Sequence, residues 1–311
     1  MREHFLPAEP THSRWNRALA PRLEIDPGDT VHFQCVEAAG GQVRPAMSLD
    51  ELAGIDRGRV HALTGPVFVR GAEPGDVLEI EVLELKHYGW GYSSVVPGLG
   101  FLKERFREPF LFHWELLANE TRSLAPAVVP LRPFCGVMGV APAADGEFRT
   151  RPPGNFGGNM DVRELCAGAR LYLPVFNEGA LFSCGDGHAA QGDGEVCING
   201  IECPLDVTLR FHLHRGRALT GPVVESWAIG DESRSDAWIV VESDEDALRG
   251  ARSATSRMVE LLVSGWGFSD VHAYILCSVA MHLRLSQVVN EPMITVSAAI
   301  GKSILPARRL F

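Results

Sequence analysis

"PGDVLEIEVLEL" runs from Pro74 to Leu85, and its reading decides the fold. Pro followed by Gly suits the central positions of a type II turn. Behind the turn, apolar and acidic residues alternate, which marks a strand with one buried face. The same turn recurs at Pro27–Asp29, ahead of "TVHFQCVE", and a looser copy is "CPLDVTLRFHLHR". "LTGPV" also occurs twice, at Leu63–Val67 and Leu219–Val223. The separations are irregular, so these echoes predict related β units and not a solenoid. "GARLYLPVFNEGALFSCGD" predicts two short strands around a turn at Asn177–Gly179.

After Pro222 the pattern changes. "DAWIVVES" predicts a strand. "SDEDALRGARSATSRMVELLVSGWG" predicts a helix, with Ser243 as N-cap, acids in the first turn and Gly265 as the stop. "SDVHAYILCSVAMHLRLSQVV" predicts a second helix capped by Ser269, and "MITVSAAIG" returns to β. The expected fold is mainly β with an α+β C-terminal part. Prolines 126, 130 and 133 mark a lobe boundary. The expected units are 1–130, 131–222 and 223–311.

At 311 residues the chain can bury a large core. Its formal net charge of -10 argues against nucleic acid or an anionic membrane as the main partner. "MREHFLPAEPTHSRW" has no apolar h-region, and the longest apolar run, "AYILCSVAMHL", is too short to span a bilayer. The 7 Cys are irregularly spaced without a CxxC pair, so reduced, mostly buried thiols in the cytoplasm are expected.

Four polar clusters could carry chemistry. In "VHFQCVEAAGGQ", alternation from Val31 places Glu37 at a strand end beside a flexible loop; a solvated strand end is the plainer reading. His61 opens the apolar stretch of "DRGRVHALTGPVF", where a structural His is commoner than a ligand. In "PPGNFGGNMDVREL", Gly157 and Gly158 let a backbone come close to a ligand, Asn159 can donate to an oxyanion, and Asp161 can ligate. An Asx-type loop before a short helix "DVRELCAG" explains it equally. The most specific signal is "GDGHAAQGDGE", Gly185–Glu195, which packs Asp186, His188, Gln191, Asp193 and Glu195 between small residues. Acids so close repel unless a cation or shared protons relieve them. Asp and Glu oxygens with an imidazole suit a divalent cation, although acidic loops are common on surfaces.

"GDGHAAQGDGEVCINGIE" resembles the hallmark segment of the acetamidase/formamidase family. "PPGNFGGNMDVREL", "GPVFVRGAEPGDVLEIEVLEL", "PRLEIDPGDTVHF" and "PFCGVMGVAP" resemble further blocks of that family, in order, from about Pro21 to "LRLSQVV". His12 and Trp15 resemble a family His and Trp. The resemblance implies a β-sandwich-like N-terminal lobe, a second β lobe carrying the two Gly-rich motifs, and two C-terminal helices packed on strands. It also implies homo-oligomers that hydrolyse small amides to a carboxylate and ammonia.

On that basis Asp186 and His188 are expected to ligate a divalent metal ion, zinc first and calcium or another divalent next, helped by Glu37 and His61. Glu195 is the expected proton shuttle, its pKa raised by Asp193. Asn159 or an amide N–H of Gly157 or Gly158 would bind the oxyanion, Asp161 would ligate or orient the histidine, and Gln191 would bind substrate. One rival is a cysteine amidase using Cys184 or Cys166. Another is a non-catalytic β protein that binds a small molecule or metal.

Overall fold

A computed structural model describes residues 1–227 and 236–311. The alternating segments form strands as expected. Gly28 and Gly75, at φ 96° and 94°, close the two Pro-Gly turns, and the strands Thr30–Cys35 and Val77–His87 follow them. Along the first, Val31, Phe33 and Cys35 are buried while His32 and Gln34 are half-buried.

Two sheets carry the architecture. The larger has nine strands, ordered Glu3–Leu6, Thr30–Cys35, Leu205–His214, Val77–His87, Arg170–Pro174, Val223–Glu225, Ala237–Asp244, Ile294–Gly301 and Met281–Gln287. It draws strands from all three expected units. The smaller has five strands, ordered Gly157–Asn159, Phe134–Gly139, Phe182–His188, Leu63–Val69 and Leu23–Ile25. The two sheets share one apolar core. At its centre Phe182 lies edge-on to Phe33 and Phe211, with ring centroids 6.2 and 5.2 Å away. Truncating a ring so enclosed costs about 3–5 kcal/mol.

The helix Ala247–Trp266 lays Gly250, Ala254, Met258, Leu261 and Leu262 against the far end of the large sheet. Its caps differ from the sequence expectation. Ser243 stays in the strand Ala237–Asp244, where its hydroxyl meets Thr295 Oγ1 at 3.2 Å, and Asp246 is the N-cap. Gly265 is buried inside the helix, and Gly267, at φ 75°, ends it in the left-handed conformation. Ser269 does cap the next helix, Asp270–Ala280, accepting from His272 N. That helix is shorter than expected. From Met281 the chain becomes the edge strand Met281–Gln287, because the Ile294–Gly301 strand offers it a hydrogen-bonded edge. "DVRELCAG" forms turns and no helix. Among the described residues no helix is long and apolar enough to cross a membrane.

Candidate active site

The Phe182–His188 strand sits between Phe134–Gly139 and Leu63–Val69 in the five-stranded sheet. Alternation sends Asp186 and His188 to one face and Gly185 and Gly187 to the other. The glycines answer to neighbouring backbone: a Cβ at Gly185 would lie 2.5 Å from Ala62 O, and one at Gly187 2.5 Å from Cys203 O. The "GDGH" spacing is therefore set by sheet packing on one side and chemistry on the other. The register pairs Cys135 with Gly187 and Val137 with Gly185, which leaves Gly136 facing Asp186. A Cβ on Gly136 would stand 2.5 Å from Asp161 Oδ1 and 2.8 Å from Asp186 Oδ2. Gly136 is the floor of the site.

Four buried carboxylates gather around one buried imidazole. His188 Nε2 lies 3.0 Å from Glu202 Oε1, 3.6 Å from Asp186 Oδ1 and 4.0 Å from Glu195 Oε1. Its Nδ1 is 2.8 Å from Gln191 Oε1 and 3.9 Å from Asp161 Oδ1. Gln191 is itself held, its amide donating to Asp161 O and Ser286 O at 3.1 and 3.2 Å. With Nδ1–H given to Gln191, Nε2 is the ring nitrogen that faces the acids, the arrangement seen when an outer partner orients a metal-binding histidine. Asp161, Asp186 and Glu195 hold φ of 51°, 57° and 48°, a left-handed region that non-glycine residues seldom adopt. Such strain concentrates where surrounding structure over-determines a functional side chain.

The charges on these groups conflict. Burial, opposed by His188 and reinforced by Asp186, pushes the Asp161 carboxyl up to about 7. The same causes push Glu202 up to about 8. Burial and then Asp161 raise Glu195 well above the usual carboxylate range. Asp186 runs the other way: burial raises it, but His61 and His188 together hold it below that range. Burial would lower His188, yet Glu202 and Asp186 keep its pKa high. Buried polar atoms in native proteins are nearly always hydrogen-bonded. Here Asp161 Oδ1, Glu195 Oε2, Glu202 Oε2, His188 Nε2, Asn159 Oδ1 and His61 Nδ1 are buried without a hydrogen-bond partner. Asp161–Asp186–His188 and His188–Glu195–Glu202 each bring ligand atoms within 4.8 Å of one another. Hard oxygens, one oriented imidazole and unused lone pairs fit a divalent cation.

Of the residues singled out in the sequence, Asp161, Asp186, His188, Gln191 and Glu195 come together, and His61 and Asn159 line the same cavity. Burial lowers the pKa of His61 although Asp186 raises it, so the ring stays neutral and able to ligate. Glu37 is differently employed. Its carboxylate accepts from Ala39 N at 2.6 Å, Val43 N at 3.0 Å and Tyr92 OH at 3.1 Å. Asp193 turns outward and pairs with Arg163 at 3.4 Å, so Asp161, and not Asp193, raises Glu195. Gly157 and Gly158 lie in the sheet: Gly157 N bonds Gly154 O, and a Cβ on Gly158 would meet the Phe156 ring at 2.9 Å.

Sequence reasoning missed Glu202, Gly136 and Asn290. Glu202 is the last residue of the hallmark segment, seven positions past Glu195, in bridge pairing with both Tyr92 and His188. Asn290 donates to Asp161 Oδ2 at 2.6 Å. Its stretch also pins the Glu195 loop, through Gly194 N to Ser286 O and Val288 N to Gly194 O. His12 Nε2 meets Ser183 Oγ at 2.8 Å, so it buttresses the central strand from outside.

The thiols are placed differently. Cys184 Sγ is buried in the apolar core, 4.0 Å from Cys35 Sγ, and burial lifts its pKa well above the ordinary thiol value. Burial likewise raises Cys166, although Arg132 opposes it. Neither lines the cavity that holds the acids.

A model of the Acetamidase/Formamidase family matches residues 3–147 and 143–306. The acetamidase of Mycolicibacterium smegmatis is 27% identical over 348 aligned positions, covering 86% of this chain and 85% of that protein. An acetamidase structure from Bacillus halodurans superposes with a TM-score of 0.88 at 32% identity, covering 96% of this chain and 98% of that one. A structure described as a predicted acetamidase/formamidase from Thermoanaerobacter tengcongensis gives 0.90 at 29% identity and covers 98% of both chains. The acidic site thus lies within a frame shared along nearly the whole length, and the chain belongs to the acetamidase/formamidase family.

Proposed function

We propose that this amidohydrolase converts a short primary amide to a carboxylate and ammonia with a divalent cation bound among His188, Asp186, Glu202 and Asp161. His61 is a further candidate ligand. One observation carries the reading: four buried carboxylates converge on one imidazole, and among the described residues His188 is the ion partner they share. A bound divalent cation would lower the pKa of its water to about 7 and polarise the amide carbonyl. Zinc suits the donors first, and calcium or another divalent ion next.

The chain's own groups divide the remaining work. Glu195 is buried, with Oε2 free of any hydrogen bond. A carboxylate with a raised pKa takes a proton from water readily and returns it to the departing nitrogen. Asn159 lines the cavity beside Glu195, and its side-chain amide would donate to the developing oxyanion. Gln191 holds the His188 ring, and Asn290 holds Asp161. Glu37 supports the wall through Tyr92. The homo-oligomer implied by the family resemblance belongs to this reading.

Ammonia release from formamide and acetamide tests it, using wild type and Cys184→Ala, each with and without chelator. Both proteins should be active, both should fail when stripped of metal, and both should recover on re-addition. Full activity in verified metal-free protein sinks the cation. An inactive but folded Cys184→Ala points to the thiol instead.

Gly136 offers an independent check. Its φ is not in the left-handed region, so Ala is allowed there by backbone geometry. The added methyl would still collide with Asp161 and Asp186. A displacement of about 1 Å in a catalytic group can cost about 10²-fold. Gly136→Ala should lose at least that much in kcat while melting near wild type. A wild-type rate would show that the two acids need not lie where the structure has them.

A further inference from the structure

The cavity changes sign between base and mouth. Its buried lining includes Asp186, Glu195 and Glu202, while the exposed Arg57 and Arg149 and the half-buried Arg14 and Arg151 line its more open part. Two of these face each other in a two-stranded ribbon: the strands Arg14–Trp15 and Phe148–Arg149 pair antiparallel, and the register sets Arg14 directly against Arg149. Like charges at directly opposed positions destabilise a ribbon. The group is also close enough for mutual repulsion to matter. Burial lowers the pKa of Arg151, and Arg149 and Arg57 lower it further.

Among the described residues none of the four is in an ion pair. Arg14 donates only to a backbone oxygen, Ser13 O at 2.8 Å. Glu291, the acid whose field reaches Arg151, is occupied by Lys103 at 2.6 Å. The chain has 39 acidic residues against 29 basic ones, so four unpaired guanidiniums at one opening are not a consequence of composition.

Size points the same way. The cavity measures ≈ 320 Å³. At about 30 Å³ per water-sized atom, the four heavy atoms of acetamide need roughly 120 Å³. The same cavity is also lined by the apolar Ile55, Val60, Leu99 and Ile198.

We propose that the substrate is an anionic amide, the monoamide of a short dicarboxylic acid. Its amide reaches the buried acids, its methylenes cross the apolar wall, and its carboxylate is taken by Arg149 and Arg151, with Arg14 and Arg57 beside them. The inference rests on the amide-hydrolase reading of the same site. Guanidinium forks match carboxylates bidentately, which gives direction as well as attraction. In the reaction, water oxygen bonds to the amide carbon, the C–N bond breaks and both of water's protons end on the departing nitrogen. The products are a dicarboxylate and ammonium.

Succinamate and succinamide differ only in carboxylate against carboxamide, and kcat/KM for both is the test. Hydrogen bonds to charged groups support a wild-type preference for succinamate of about 10- to 100-fold, expressed mainly in KM. In the double variant Arg149→Gln/Arg151→Gln the ratio should fall to near one. Taken within one preparation, the ratio is unaffected by any loss of folded protein. Calorimetry with succinate is the second arm: it should bind wild type and bind the double variant at least tenfold more weakly. Equal rates on the two amides in wild type overturn the inference, as does a preference that survives in the double variant. If no amide is hydrolysed but succinate binds through the arginines, the anion site stands and the amide-hydrolase reading falls. If amides are hydrolysed and succinate does not bind, only the anion site falls.

Discussion

His188→Ala should remove the bound cation and the amidase activity together. His188 is fully buried, its Nε2 faces Glu202, Asp186 and Glu195, and its ring is fixed by Gln191. Without it the four acids have no shared positive or ligating partner, and like charges in a buried space drive them to hold protons. Protonated carboxyls are poor ligands, so metal affinity falls for two reasons at once. The loss in ammonia release should exceed the range of about 10²–10⁴-fold that a missing proton carrier produces. Metal content measured on the same samples should fall to background. A His188→Ala protein that keeps both metal and turnover would remove the imidazole from the proposed ligand set.

Glu195→Gln should separate proton transfer from metal binding. Gln keeps the size of Glu195 and some of its hydrogen bonding but cannot accept a proton. The burial and the Asp161 charge that raise Glu195 have no counterpart on an amide. Activity should drop about 10²–10⁴-fold with metal content unchanged. A metal-free Glu195→Gln protein would make Glu195 a ligand, which its 4.0 Å approach to His188 Nε2 permits. A metal-loaded and fully active one would pass the proton to another acid, with Asp161 the nearest.

Much of the frame was legible because turns and alternation are local. Each Pro-Gly pair needed a glycine at positive φ, and the residues behind it had to alternate to cover one face of a sheet. The helix Asp270–Ala280 shows the limit of that reading. Its apolar pattern continues through "MHLRLSQ", but the free edge of Ile294–Gly301 captures those residues as a strand. Hydrogen-bonding to a distant edge outweighs local pattern.

The candidate site divides in the same way. Asp186, His188 and Glu195 stand out in the sequence because acids and an imidazole crowd into a Gly-rich segment. Nothing local distinguishes Glu202 from an ordinary acid, and nothing local marks Asp193 as the one that turns out to Arg163. Gly136 and Asn290 lie far along the chain from the hallmark, and only sheet register and the return of the C-terminal edge strand bring them to Asp161. Glu37 has the chemistry of a ligand, yet three donors on its own wall occupy its oxygens. Residue type and spacing thus determined by themselves that the chain is a β protein with an acidic, imidazole-bearing segment. Which acids face the imidazole, and which find other partners, was decided by tertiary packing, because a buried carboxylate's role is set by the donors and charges within a few ångströms of it.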